Sequence, residues 1–118
     1  MAKRILVADD NADIRKVIKA ALSRKEYRIF EAEDGAAVIK KLGSEKFDLL
    51  ITDYDMPGAN GLEVMEKALA LYPKMPVILV SANLPQEVLK KAESLATRIV
   101  EKPFNIAALV CTVSILLK

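Results

Sequence analysis

The sequence predicts one α/β domain in three layers, with helices on both faces of a parallel sheet. Three observations predict it. Short apolar runs alternate with helix-spaced segments along the whole chain, and each run is followed by a segment long enough to cross back over a sheet. The 118 residues suffice for one buried core and are too few for a second catalytic domain. No repeat, low-complexity tract or linker interrupts the alternation.

The first apolar run, Ile5-Leu6-Val7-Ala8, reads as a strand. Asn11 then offers a cap, and Ile14, Val17, Ile18, Ala21 and Leu22 follow at helical spacing on one apolar face. Tyr27 to Glu31 reads as the second strand, leading through Asp34-Gly35 into a helix that ends near Gly43. Phe47 to Thr52 is a buried strand, and Tyr54 to Asn60 a loop. Asn60 with Glu63 three positions on forms a capping pair for a helix running to about Tyr72, where Pro73 stops it. Pro76 to Val80 is the fourth strand, Pro85 to about Ala92 a short helix, Thr97 to Glu101 the fifth strand, and Asn105 to Leu117 the last helix. On that helix Ile106, Leu109, Val110, Val113 and Leu117 can face the core, leaving Cys111 and Ile115 on other faces.

The strand ends carry the chemistry. In an open parallel sheet they line one crevice, so Asp9-Asp10, Asp53, Ser81 and Lys102-Pro103 would meet there. Clustered carboxylates repel one another and persist where a hard divalent cation neutralises them. An oxygen-only donor set without histidine suits Mg²⁺, and such a site suits phosphate chemistry. Each residue also has an ordinary reading. Asp9 and Asp10 are good turn and cap residues, Ser81 ahead of Asn83 and Pro85 is a common cap or turn serine, and Lys102 alone would be a solvated strand-end lysine. Their shared position at strand ends favours the active reading. Asp53 precedes Tyr-Asp-Met-Pro-Gly, a stiff turn that would hold its carboxylate at the crevice mouth and offer a backbone carbonyl to a metal. Lys102 precedes Pro103, the bond type that adopts the cis form at modest cost, and a cis bond would aim the lysine inward.

Composition excludes several alternatives. With 18 basic and 16 acidic residues and no long Lys/Arg block, direct nucleic-acid binding is disfavoured. The lone cysteine, Cys111, cannot form an internal disulfide or a cysteine metal cluster. The absence of histidine removes Ser-His and Cys-His catalysis, and any phosphohistidine of the chain's own. The start, MAKRILVADD, lacks a signal-peptide apolar region, and the apolar stretch Ile106 to Leu117 is shorter than the roughly 20 residues that span a bilayer. The expected location is the cytoplasm, with no membrane partner.

The segments ILVADDNADIRKVI, LLITDYDMPGANGLEVM, VILVSA and VEKPF resemble the receiver domains of two-component response regulators, including the stand-alone chemotaxis regulators. The resemblance covers nearly the whole chain. It implies a flavodoxin-like doubly wound (βα)₅ fold with strand order 2-1-3-4-5, and a single receiver domain spanning residues 1–118. By the same resemblance Asp53 accepts a phosphoryl group from the phosphohistidine of a sensor histidine kinase or phosphotransfer protein. Asp10, Asp53 and the main-chain carbonyl of Asp55 ligate Mg²⁺, Asp9 acts through a coordinated water, and Mn²⁺ is able to substitute. Lys102 and the metal offset phosphoryl charge, and Ser81 bonds a phosphoryl oxygen after transfer. The implied activity is not metabolic: the domain promotes its own phosphorylation and dephosphorylation, and switches an output protein or attached effector domain. The expected assembly is a monomer or a phosphorylation-dependent dimer. Met1-Ala2-Lys3 reads as a natural start, and whether an effector domain follows Lys118 stays open.

Two departures stand out. Three residues before the lysine the family usually has Tyr or Phe, and this chain has Ile99, so an aromatic reporter is lacking. Ser81 replaces the commoner Thr and keeps the hydroxyl. Asp55 and Asn83 stand two residues beyond Asp53 and Ser81, which in the family flank the path of the hydrolytic water, and plain loop polarity is the competing reading. A haloacid dehalogenase-type phosphohydrolase fits Asp53-Tyr54-Asp55 poorly, because that family expects Thr or Val where Pro57 stands. A flavin-binding analogue is disfavoured by the acidic loop after the first strand. A receiver-like module that binds partners without phosphorylation is the alternative that Ile99 keeps alive.

Overall fold

The computed structural model describes residues 2–23 and 26–118. Along the chain run β1 (Lys3–Ala8), α1 (Ala12–Leu22), β2 (Tyr27–Ala32), α2 (Gly35–Ser44), β3 (Leu49–Asp53), α3 (Gly61–Leu71), β4 (Val77–Ser81), α4 (Gln86–Leu95), β5 (Arg98–Glu101) and α5 (Ile106–Leu116). The strands form one five-stranded sheet in the order β2-β1-β3-β4-β5, and every pairing is parallel. The doubly wound fold expected from the sequence is therefore the fold observed.

Strand side chains alternate between two cores, because successive residues of a strand point to opposite faces. Ile5, Val7, Leu49, Ile51, Ile78 and Val80 pack against Ile18 and Leu22 of α1 and Leu109 and Val113 of α5. Leu6, Leu50, Val77 and Leu79 pack with Val38, Leu42, Val64, Met65, Ala68 and Ala92 of α2, α3 and α4. All of β3 and β4 is buried. Central strands covered on both faces read as continuous apolar runs, which is why they were legible as strands without alternation.

Most helix starts are fixed by side-chain caps. The Asn11 carboxamide oxygen accepts from the backbone N–H groups of Asp13 and Ile14, Asp34 accepts from Ala37, and Asn105 accepts from Ala108. Asn60 and Glu63 form a reciprocal capping box. By contrast, α4 begins after Pro85 with no side-chain cap, and Ala92 is its one buried residue. It is the helix with the fewest buried residues.

The structure corrects the sequence reading in places. Helix α4 starts one residue later than expected and continues through Leu95, because Leu95 packs partly against the core and nothing stops the helix at Ala92. Asp53 and Ser81 are the last residues of their strands, one position beyond the expected ends at Thr52 and Val80. Phe47 lies before β3 but is buried. Val17, placed on the apolar face of α1, is 55% exposed, since the helix turns Ile18 and Leu22 to the sheet. It lines a groove of about 570 Å³ with Ile14, Pro103, Phe104 and Ile106. On α5, Leu109 and Val113 are buried, whereas Cys111 and Ile115 are exposed.

Gly61 couples the fold to the strand ends. Its N–H donates to the Tyr54 carbonyl at 2.8 Å, and a Cβ there would stand 2.7 Å from the Asp53 carbonyl oxygen and from the Tyr54 Cα. These are backbone atoms with little freedom to yield. Gly61→Ala is expected to cost about 1–3 kcal/mol in urea unfolding, the usual penalty of overpacking. A substitution costing nothing would mean that α3 can slide away from β3.

Candidate functional site

Parallel register brings the carboxyl ends of β1, β3, β4 and β5 to one edge. Ala8 pairs with Thr52, Asp53 with Val80, and Ser81 with Glu101. Hydrogen bonds beyond the strands extend this alignment: Tyr54 N–H donates to Val80 O at 2.9 Å, and Lys102 N–H to Ser81 O at 2.9 Å. The Lys102–Pro103 peptide is cis.

Asp9, Asp10 and Asp53 each offer an oxygen, and these atoms lie within 4.8 Å of one another. Asp9 and Asp53 are buried, 3% and 4% exposed, whereas Asp10 is exposed. Lys102 Nζ lies 3.3 Å from Asp9 Oδ2 and 3.3 Å from Asp53 Oδ2. The other Asp9 oxygen accepts from the Asn11 N–H at 2.8 Å. One ammonium thus serves two buried carboxylates with a third beside them, and the cluster keeps an excess of negative charge. Three hard oxygen donors with uncompensated charge fit a divalent cation of the Mg²⁺ kind.

Burial holds the Asp53 carboxyl above its usual range, Asp9's charge raises it further, and Lys102 offsets this only in part. Burial acts to lower the Lys102 ammonium, but the charges of Asp53 and Asp9 together outweigh it and the net direction is upward. The Asp53 direction has a consequence for stability. Between its ordinary and its raised pKa the folded state binds the extra proton, so this carboxyl's contribution to stability falls as pH rises through that interval. Metal-free protein compared with Asp53→Asn in urea should show the variant's advantage growing with pH across the interval and then levelling off. An advantage independent of pH would refute the buried charge as its source.

Ser81 is 2% exposed and its Oγ has no hydrogen-bond partner among the described residues. An orphaned buried hydroxyl at the strand end next to Asp53 is a donor waiting for an acceptor. Asn83 and Ile99 line, with Ser81, Leu84, Leu89 and Glu101, a small cavity of about 200 Å³. Asp55 is exposed beside Asp10, Tyr54, Met56 and Asn60 in an open cleft. The structure thus gathers Asp9, Asp10, Asp53 and Lys102 into one cluster, sets Ser81 at the end of the neighbouring strand, and puts Asn83 and Ile99 with Ser81 in a cavity whose lining lacks those four residues.

Sequence reasoning missed Arg15 of α1, which donates through Nη1 to the Asp9 carbonyl and through Nε to Glu31 Oε1. It also missed Thr52, whose buried hydroxyl donates to the Asp53 carbonyl at 3.0 Å. Neither carries a motif. Arg15 looks like any charged residue on an amphipathic helix, and its placement between two strand ends is a tertiary fact.

A family model described as the response regulator receiver domain matches residues 5–114. The chain belongs to the response-regulator receiver family. It is a receiver domain of two-component signalling. It is similar to the response regulator receiver protein CpdR of Brucella abortus, 32% identical over 111 residues that cover 92% of this chain and 91% of CpdR. It is also similar to the response regulator GtcR of Aneurinibacillus migulanus, 36% identical over 89% of this chain and 43% of GtcR. The receiver domain thus spans less than half of some curated relatives and nearly all of others. Among solved structures, the response regulator TrrA of Thermotoga maritima, in complex with Mg²⁺ and BeF, superposes with a TM-score of 0.88 at 36% identity, covering 98% of this chain and 99% of that one. Among the described residues no helix is long and apolar enough to cross a membrane.

Proposed function

We propose that Asp53 is the phosphoacceptor, and that the observation carrying this reading is the buried Asp9–Lys102–Asp53 arrangement beside the unpartnered Ser81 hydroxyl. An Asp53 carboxylate oxygen attacks the phosphorus of a phosphohistidine on a sensor histidine kinase or phosphotransfer protein. The P–N bond breaks, the imidazole leaves with its electron pair, and an acyl phosphate remains on Asp53. Lys102 meets the charge of the arriving phosphoryl group, and the Ser81 hydroxyl donates to one of its oxygens. Water attack on phosphorus later restores the carboxylate. A mixed anhydride is labile where a serine ester would be stable, so the signal resets itself.

Asp10 and Asp53, with the Asp55 carbonyl, would hold Mg²⁺, and Mn²⁺ would serve in its place. Asp9 has one oxygen on the Asn11 N–H and the other on Lys102, which supports its acting through a water. When bound, the ion supplies charge neutralisation for the transferring phosphoryl oxygens. Drawing Ser81 towards the phosphoryl group pulls on the loop that leads into α4, the helix with no side-chain cap and one buried residue. Displacement of α4 is the output to a partner protein or an attached effector domain, from a cytoplasmic monomer or a phosphorylation-dependent dimer.

The test is intact-protein mass after incubation with Mg²⁺ and a small acyl-phosphate donor. One added phosphoryl group, blocked by chelation and lost with time, supports the switch. No gain, with no Mg²⁺ binding, would leave a module that binds partners without phosphorylation.

A further inference from the structure

Asp10 is the exposed member of the carboxylate cluster, and no hydrogen bond or ion pair to its carboxylate is found among the described residues. Its direction is therefore set by the backbone that carries it. That backbone is anchored at the preceding peptide. Asp9 N–H donates to the Ala32 carbonyl at 3.1 Å, and the Asp9 carbonyl accepts from Arg15 Nη1. The carbonyl of Asp9 and the N–H of Asp10 share one planar peptide, so holding the carbonyl fixes the plane from which Asp10 departs.

Arg15 is itself held. Its side chain is 13% exposed, and its Nε donates to Glu31 Oε1 at 3.1 Å near the end of β2. Lys19 Nζ lies 3.6 Å from the other Glu31 oxygen. The guanidinium thus ties three places together: the first turns of α1, the loop after β1 and the edge strand. It also sets a fixed positive charge next to a site that would take a cation. The Glu31 carboxylate meets that guanidinium at Nε, a different nitrogen from the one on the Asp9 carbonyl, and offsets the charge.

We propose that Arg15 and Glu31 are a positioning pair for the acidic cluster: Arg15 fixes the Asp9–Asp10 peptide so that Asp10 stays turned to the site, and Glu31 neutralises Arg15 so that its charge does not oppose a bound divalent cation. The proposal rests on the reading that the cluster takes such a cation. Neither residue touches the ion or the reacting atoms. The two act through geometry and through charge respectively, and these separate experimentally.

The experiment is calorimetric titration of the full chain with Mg²⁺ at low and high salt, with thermal melts on each variant. Arg15→Ala is expected to weaken Mg²⁺ about tenfold, the usual scale for losing a support behind a metal ligand, at both salt concentrations. Glu31→Gln keeps an acceptor for Arg15 Nε but removes the neutralising charge. It is expected to weaken Mg²⁺ a few-fold at low salt and little at high salt. In the double variant Arg15→Ala/Glu31→Gln the Glu31 effect should vanish, because Glu31 has no guanidinium left to neutralise.

Wild-type affinity in Arg15→Ala, or an equal and salt-independent loss in Glu31→Gln with or without Arg15, would overturn the proposal. If Arg15→Ala does not fold, the salt dependence of Glu31→Gln decides alone. A wild-type chain that binds no Mg²⁺ would defeat the underlying reading of the site, an outcome distinct from failure of the pair.

Discussion

Asp53→Asn is expected to take up no phosphoryl group from a small acyl-phosphate donor and Mg²⁺, while the wild-type chain gains one. The amide presents no anionic oxygen to phosphorus, and the neighbouring carboxylates cannot stand in. Both oxygens of Asp9 are engaged, and Asp10 has no ammonium against it among the described residues. The same substitution should make the metal-free protein more stable at neutral pH, since it removes a buried negative charge facing Asp9 and keeps the shape. Saturating Mg²⁺ should reverse the advantage, because the wild-type chain alone keeps its full ligand set and gains the binding free energy. Intact mass and urea titration with and without Mg²⁺ test both halves. Labelling of Asp53→Asn to the wild-type extent would place the nucleophile elsewhere. A destabilised variant would mean that attraction to Lys102 exceeds the cost of burial and of Asp9.

Lys102→Met should separate two quantities that are lost together in Asp53→Asn. Methionine keeps the apolar stem and removes the ammonium from its place 3.3 Å from both carboxylates. Phosphoryl uptake should slow by about 10²–10³-fold, the cost of deleting one charge aimed at the transferring group. Mg²⁺ affinity should rise a few-fold, because the cluster loses an internal cation that competes for the same oxygens. The pH profile should move too. Lys102 is the group that lowers Asp53, so without it the Asp53 carboxyl lies higher still. In the metal-free variant the ionised carboxylate then forms only at higher pH, so the interval over which Asp53 lowers stability should lie at more alkaline pH than in wild type. Initial rates of mass gain, Mg²⁺ titration and metal-free urea titration against pH check the signs. An unchanged rate would reduce Lys102 to a structural counter-ion.

Ile99 gives these experiments a wider meaning. It lies half-buried beside Leu84 and Leu89 in the cavity that Ser81 also lines, and it packs against the core on the α4 side of the sheet. An aliphatic side chain there offers no hydroxyl to an output surface. On the proposed reading, the pull on Ser81 would be passed on by the loop and by α4, a helix with one buried residue and no side-chain cap.

Much of this protein was fixed by short-range pattern. The buried strands of the sheet's centre announced themselves as unbroken apolar runs, and Asn11, Asp34, Asn60 and Asn105 marked helix starts that the structure places at the same residues. These signals work because caps, periodicity and strand burial depend on neighbours a few positions away. The list of strand-end residues followed from them once the strands were taken as parallel.

Tertiary structure decided the rest. Asp9 and Asp10 are the same residue type in adjacent positions, yet one is buried against Lys102 and the other is exposed. The Lys102–Asp9 contact joins residues 93 positions apart, and no local pattern carries that distance. Val17 follows the helical period of its neighbours and still faces outward, because the orientation of α1 on the sheet is set by Ile18 and Leu22. Arg15 and the unpartnered hydroxyl of Ser81 gain their meaning only where separate strand ends meet. Sequence alone thus determined which elements form and which residue types stand at their ends. Which carboxylate is buried, which shares the ammonium and which hydroxyl lacks a partner were settled by packing, since burial and electrostatics depend on distances that only the closed sheet creates.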